Sequence, residues 1–339
     1  MKTSFSYNFL IFLLLFFINC SLLAQYRSYD RARVNKRHRM DRELEFTYDN
    51  DLIFLTDRYY TSGVNIAYSK LIKANTAFYN RFSSSKIDSS KLITRIHYGH
   101  RIFTSRDIKE SDVELFDRPY AGWHYLKFDL MNFPNQEEVN RYSIDIGLVG
   151  EQSGIGNFHE WWHRQFGITS PRGWRYEIEN EVLLNVNYNR IKNWKLTKKI
   201  KLITNSGVSV GNRENKIEQE AILRLGKFNE LMNTSLINSR VDNIIPELGY
   251  YPKDGGEEGF LFLSITGSYF LTNMFVEGSL FNQSSPHTAE LENLLITQKW
   301  GFLYSNYYTT FSFTFYRIGK ELVGGRVHRY LSLNLSFRF

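Results

Sequence analysis

Leu331-Ser332-Leu333-Asn334-Leu335-Ser336-Phe337-Arg338-Phe339 ends the chain on a strict alternation of apolar and polar side chains. Successive side chains of a strand point to opposite faces. Leu331, Leu333, Leu335, Phe337 and Phe339 therefore share one face, and Ser332, Asn334, Ser336 and Arg338 the other. A half-buried edge strand of a soluble sandwich alternates in the same way, so this stretch takes its meaning from the rest of the chain.

At the other end, Met1 and Lys2 precede the apolar run Phe9 to Phe17, followed by Ser21, Leu22, Leu23, Ala24 and Gln25. This reads as a secretory signal over residues 1–24, cut near Ala24; the run is too short to favour a membrane span. The sole cysteine, Cys20, follows Asn19, a poor small-residue substitute before a lipidated cysteine. Cleavage at Ala24 leaves a mature chain that needs no disulfide. The chain holds 22 Tyr, 27 Phe and only 6 Pro, yet its mean hydropathy is −0.37. Aromatic-rich but hydrophilic overall, with no second long apolar run, it fits a membrane barrel better than a helical membrane protein. In that setting the last strand resembles the final-strand signal of bacterial outer-membrane barrels.

Strands of about ten residues suit a tilted membrane strand. Candidates begin near Glu43, Tyr60, Ile93, Ala121, Arg141, Glu177, Lys201, Glu218, Gly259, Met274, Leu294, Tyr307 and Arg329. A closed barrel with both termini on one side needs an even number. The list is therefore about one too many or too few, and the expectation is an all-β fold, a closed antiparallel transmembrane β-barrel over residues 43–339, with a short loop helix near 154–166. Pro134-Asn135, Leu271-Thr272-Asn273 and Ser305-Asn306 read as periplasmic turns. The net charge of +7 owes much to the tract from Arg27 to Arg42. That basic N-terminal lead over 25–42 reads as a solvated periplasmic segment, with no role in nucleic-acid binding.

The densest polar stretch is Thr56-Asp57-Arg58-Tyr59-Tyr60-Thr61-Ser62-Gly63. Alternation puts Tyr60, Ser62, Val64, Ile66 and Tyr68 on one face, and Thr61, Gly63, Asn65, Ala67 and Ser69 on the other. In a membrane barrel the apolar face meets lipid and the polar face the lumen. Thr61 is thus expected in the lumen, with Tyr60 and Tyr68 facing lipid. Tyr48-Asp49-Asn50-Asp51 offers oxygen ligands of the kind calcium prefers, although Asp and Asn also simply form turns. Asp117-Arg118-Pro119-Tyr120 either binds a phosphate through Arg118 or clamps a loop to the rim.

Residues 154–167 are bounded by glycines and helical in spacing: Phe158, Trp162 and Phe166 form one stripe, His159 and His163 a neighbouring one. His159-Glu160-Trp161-Trp162-His163 formally matches the zinc signature H-E-x-x-H. A zinc peptidase also needs a third ligand, and no clear partner lies downstream.

Taken together, Asn50-Asp51, Thr56 to Gly63, Asp117 to Trp123, Gly147 to Gly150, His163-Arg164 with Gly167, Gly173-Trp174, Glu179-Asn180-Glu181 and Leu223 to Gly226 resemble the LpxR family of outer-membrane lipid A 3′-O-deacylases. The resemblance implies a barrel of about a dozen strands with a site between the inner wall and a loop helix. It also implies calcium-dependent hydrolysis of the ester that carries the 3′ acyloxyacyl chain. Carried over by position, His163 is the catalytic histidine, Asn50 and Thr61 assist as polar wall residues, and Asp51 with Asn50 holds calcium. Arg58 and Arg118 become candidates for the phosphates of lipid A or for orienting the site, and Arg101, Arg106 and Lys109 lie on the approach loop. His159 stands where family members commonly carry another polar residue, and Thr169 and Ser170 where some carry a carboxylate. The expected partners are lipid A or lipopolysaccharide, the outer membrane and the barrel assembly machinery. Two other functions are carried forward: a non-catalytic barrel acting as a pore or surface-binding protein, and a phospholipase-type hydrolase, for which no serine nucleophile stands out.

Overall fold

Along the strands of this chain lipid-facing and lumen-facing side chains alternate, and the result is a closed sheet. The structure, a computed structural model, describes residues 40–54, 56–74, 76–83, 90–241, 256–282 and 284–339. The expected signal segment, Cys20 and most of the basic lead lie outside the described residues. In order come β1 (Arg42–Asn50), β2 (Tyr59–Leu71), helix α1 (Ala77–Phe82), β3 (Lys91–Thr104), β4 (Ala121–Asn135) and β5 (Glu138–Val149). Helix α2 (Ile155–Gln165), β6 (Glu181–Lys195), β7 (Ile200–Gly211), β8 (Glu214–Lys227) and β9 (Glu258–Asn273) follow. Helix α3 (Met274–Glu277), β10 (Leu294–Ser305), β11 (Thr309–Ile318) and β12 (His328–Arg338) complete the chain. Every strand pairs antiparallel with its sequence neighbours, and β1 pairs with β12, so the terminal strand closes a barrel of 12 strands with no free edge.

The sequence expectation of thirteen strand starts fails at Met274. Asn273 accepts the Phe275 N–H at 3.0 Å and caps a one-turn helix there. Arg42 and Phe339 exchange backbone hydrogen bonds of 3.2 and 3.0 Å, which puts both ends of the barrel chain on one rim. Pro134-Asn135 and Ser305-Asn306 also turn at this terminal rim. Leu271 to Asn273, expected beside them, instead lies at the opposite rim with α2.

Leu44, Ile66, Ile96, Leu126, Ile144, Val186, Leu263 and Ile296 are exposed on the outer wall, the apolar belt that lipid covers. The inner wall is charged and paired. Arg213 meets Asp145 and Glu214 at 3.0 Å each, Lys216 meets Glu218 at 2.8 Å, Lys299 meets Glu220 at 2.5 Å, and Arg338 meets Glu43 at 2.7 Å. Toward the terminal rim, the chain after β8 folds back into the barrel. Leu231, Met232, Ile237 and Val241 pack on Ile93, Met131, Phe133 and Ile203 of the inner wall. Lys91 donates to the carbonyls of Met232 (2.8 Å) and Ser239 (2.6 Å), and Arg141 to that of Ile237 (3.1 Å). This segment plugs the lumen. Among the described residues no helix is long and apolar enough to cross a membrane; crossing falls to the strands.

A candidate active site on the outer wall

β1 enters the opposite rim with Glu43, Glu45, Thr47 and Asp49 inward and Leu44, Tyr48 and Asn50 outward. Beside it, β2 carries a bulge. Tyr60 pairs with Phe103 and Ser62 with Ile102, so Thr61 is the extra residue. The extra residue shifts the alternation by one, which overturns two expectations. Tyr60 turns into the lumen, where its hydroxyl donates to Asp49 Oδ2 at 2.7 Å, and does not face lipid. Thr61 leaves the lumen and lines a cavity on the outside of the wall together with Asn50, Ser62, Val64, His100 and Ile102. The cavity, of 680 Å³, therefore lies between the outer wall and the loop helix, not between the inner wall and the helix as the resemblance implied.

Helix α2 forms the other side. Phe158 meets the outward His100 of β3 at 5.5 Å, and Trp162 lies tilted against Phe166 at 4.4 Å, giving the cavity an apolar flank. Gly156 has no Cβ, and one there would sit 2.8 Å from the Trp174 indole; its absence lets Trp174 lie against the helix. The helix ends at Gly167, whose φ of 62° is the left-handed value that glycine adopts without strain. Ile168 N–H bonds back to the His163 carbonyl at 2.9 Å and Gly167 N–H to that of Arg164 at 3.4 Å, a Schellman closure. That reversal lays the Thr169 carbonyl on the His163 ring, where Nδ1 donates to it at 2.6 Å. His163 Nε2 then faces the cavity, 3.4 Å from Asp57 Oδ2.

Asp51 is buried; its Oδ2 accepts from Thr56 Oγ1 at 2.8 Å and from Arg58 N at 3.2 Å. Its own N–H donates to the Thr61 carbonyl at 3.1 Å, which fixes the loop to the bulge. Burial raises the Asp51 carboxyl well above its ordinary range, and the nearby Asp57 carboxylate adds to the shift. Burial also pushes Asp57 up to about 7. His163 goes the other way: burial lowers it, against the Thr169 carbonyl, which favours the charged ring. Among the described residues the buried Thr61 hydroxyl has no hydrogen-bond partner. Nor has the Nε of Arg58, which also lines the cavity.

The structure thus gathers Asn50, Asp51, Arg58, Thr61 and His163 around one space, with Arg106 and Lys109 on its rim. Two basic residues fall elsewhere. Arg101, expected on the approach loop, sits in β3 and points into the lumen between Tyr60 (5.9 Å) and Trp123 (5.6 Å). Arg118 is fully buried, paired with Glu321 at 2.6 Å and stacked over Phe103 at 4.7 Å. It does not line the cavity; it ties its loop to Glu321, in the connection between β11 and β12. Sequence reasoning gave no role to Asp57 or Trp174. Asp57 lies inside the polar stretch that first drew attention, and that density was its signal. Trp174 stood only in the Gly173-Trp174 pair of the resemblance, without a partner, because its contact with the helix depends on the fold of residues 166–174.

The model of the family described as "Outer membrane protein LpxR" matches residues 10–339. Comparison with curated proteins returns no match. Among solved structures, LpxR from Salmonella typhimurium is similar at a TM-score of 0.67 and 18% identity, covering 88% of this chain and 100% of that one. The β domain of the Bordetella autotransporter BrkA is similar at 0.42 and 7%, covering 88% and 98%. The translocator domain of NalP from Neisseria meningitidis is similar at 0.40 and 8%, covering 94% and 98%. With the match running over nearly the whole sequence, and a 12-stranded barrel to go with it, the chain belongs to the LpxR family of outer-membrane proteins.

Proposed function

We propose that this barrel is an ester hydrolase that removes the 3′-linked acyloxyacyl chain of lipid A, with water activated by His163 and calcium as the cofactor. The observation that carries the reading is the placement of His163, buried and tautomer-fixed, over a cavity on the lipid-facing side of the wall. A lipid with its acyl chains in the bilayer reaches such a cavity without leaving the membrane; a site in the lumen would require the chains to be drawn out of it.

With the proton on Nδ1, Nε2 carries a lone pair. Nε2 takes a proton from water, and the hydroxide adds to the ester carbonyl. The tetrahedral centre collapses by breaking the bond to the sugar oxygen, which recovers the proton from His163. A free fatty acid and a sugar hydroxyl leave, and no acyl-enzyme forms. Lowering of the His163 pKa by burial keeps the ring neutral, and so able to act as a base, through the ordinary histidine range.

Calcium fits the donor set. Asp51, Asp57, Asn50 and Thr61 offer oxygen alone, the preference of a hard cation. The unpartnered Thr61 hydroxyl and two neighbouring buried acids are what such an ion would satisfy. Asp51 and Asn50 would hold it, and it would supply positive charge for the developing oxyanion. Arg58, Arg106 and Lys109 supply fixed positive charge for the phosphates of the substrate.

Mass spectrometry of lipid A from cells expressing the chain with and without His163→Ala tests the proposal. The wild type is expected to yield lipid A lacking the 3′ acyl group, and the variant unmodified lipid A. Unmodified lipid A from both would sink the proposal, and loss of a glycerophospholipid chain in its place would favour the phospholipase reading. The pore reading predicts steady conductance in planar bilayers; the plug of residues 231–241 argues for none.

A further inference from the structure

His159 and His163 lie one turn apart on α2 with ring centroids 4.4 Å apart and nearly perpendicular, and both line the cavity. The partners of their Nδ1 atoms are of opposite kind. A backbone carbonyl only accepts, so the Nδ1 of His163, 2.6 Å from the Thr169 oxygen, carries the ring proton. An indole N–H only donates, so the Nδ1 of His159, 3.3 Å from Trp174 Nε1, is the acceptor and its ring proton sits on Nε2. Both rings are buried among apolar groups, which favours neutral imidazoles.

We infer that Trp174 and the Thr169 carbonyl hold the two histidines in opposite neutral tautomers, so that His163 presents a lone pair to the cavity and His159 an N–H donor. Within the esterase reading, on which this part rests, His159 donates a hydrogen bond to the carbonyl oxygen as negative charge develops there. It lends its proton without transferring it. His163 is the base and His159 the electrophilic partner, a division of labour that two identical tautomers do not allow.

The same tautomers disfavour zinc. Asp57, His159 and His163 do bring ligand atoms within 4.8 Å of one another, so the upstream Asp57 supplies the third group that the H-E-x-x-H pattern lacked. A metal on His159 Nε2, however, moves the ring proton to Nδ1, where it meets the indole N–H head-on at 3.3 Å. Two donors facing each other cost a hydrogen bond and leave both unsatisfied. The trio is therefore built for proton placement and disfavours zinc.

The test uses the full chain, refolded in detergent with ¹⁵N-labelled histidine. Long-range proton–nitrogen correlations are expected to show an Nε2–H ring for His159 and an Nδ1–H ring for His163. Trp174→Phe keeps the bulk but removes the donor. It should turn His159 into a mixture of tautomers and leave His163 unchanged. In deacylation assays His159→Phe is expected to lower kcat about 10²-fold with little change in KM, the usual loss for one oxyanion donor, while His159→Gln, which keeps an N–H, recovers most of it. Zinc at micromolar concentration is expected to show no stoichiometric binding by calorimetry. The inference is overturned by the same tautomer at both rings, by an unchanged His159 pattern in Trp174→Phe, by full kcat in His159→Phe, or by one zinc bound in a His159-dependent way. If the wild type releases no acyl chain, the esterase reading falls, and the nitrogen shifts still decide the tautomers. They decide them equally if His159→Phe does not refold.

Discussion

The inside and the outside of this barrel wall treat charge in opposite ways. Inside, Arg213, Lys216, Lys299 and Arg338 each meet carboxylates at 3.0 Å or less. Outside, in the cavity against α2, two acids crowd together, and among the described residues neither the Thr61 hydroxyl nor the Arg58 Nε has a partner. Paired charge in a confined space fills it and fixes register, whereas an acid crowded by a second one holds its proton more tightly and favours a cation beside it. Polar density and single unpartnered atoms mark both regions, Ser143 Oγ and Thr266 Oγ1 among the inner ones; the meeting of cation with carboxylate is what distinguishes the wall, and the crowding of two acids the site.

The sharpest way to break this comparison is to alter one region and read the other. His163→Ala should lower release of the 3′ acyl group by roughly 10³-fold or more, since it removes the base, and leave the heat-modifiable gel shift of the barrel intact. Activity near wild type would move the chemistry off the outer wall. Asp51→Asn should raise the calcium concentration needed for half-maximal activity by about 10–100-fold, measured by titration after chelation. In the lumen, Arg213→Met removes the guanidinium from Asp145 and Glu214 and leaves them to Asn187 and Lys216. It should destabilise the barrel by about 3–5 kcal/mol, read as a lower unfolding temperature on gels, with kcat unchanged. A large loss of kcat in that variant would show that the lumen takes part in catalysis.

The smallest expected effect is one of pH. Asp57 is raised to about 7, so below that value its protonated form is populated and a cation must displace the proton. Apparent calcium affinity should therefore fall as pH drops through 7, whereas the acid limb of calcium-saturated activity, set by a lowered His163, lies below the ordinary histidine value. Calorimetry at several pH values checks the first, and a pH profile at saturating calcium the second. A calcium affinity flat between pH 6 and 8 would remove Asp57 from the ligand set.

Much of the architecture was legible because membrane strands write their two environments into alternate residues. The terminal stretch from Leu331 to Phe339 announced a barrel, and the spacing of Phe158, Trp162 and Phe166 announced a helix close to its observed bounds of Ile155–Gln165. The thirteenth strand start was an error of local reading: Met274 to Glu277 is apolar enough for a strand, and only the cap from Asn273 makes it helical. The site was legible in its residues and illegible in its position. Asn50, Asp51, Thr61 and His163 were named correctly as neighbours, yet on the wrong side of the wall.

One residue explains that reversal. Strict alternation from Val64 backwards puts Thr61 in the lumen; the bulge at Thr61 adds a residue and turns the face over. A bulge is decided by how β2 registers against β3, an interaction between distant segments, and leaves no mark on the period of either strand. The same holds for Trp174 and the Thr169 carbonyl, which select the histidine tautomers only after the chain has folded back over α2. The sequence by itself determined the barrel, the helix and the residue types of the site, because alternation and helical spacing are local. Which side of the wall the site occupies, and which nitrogen of each histidine keeps its proton, were decided by tertiary contacts.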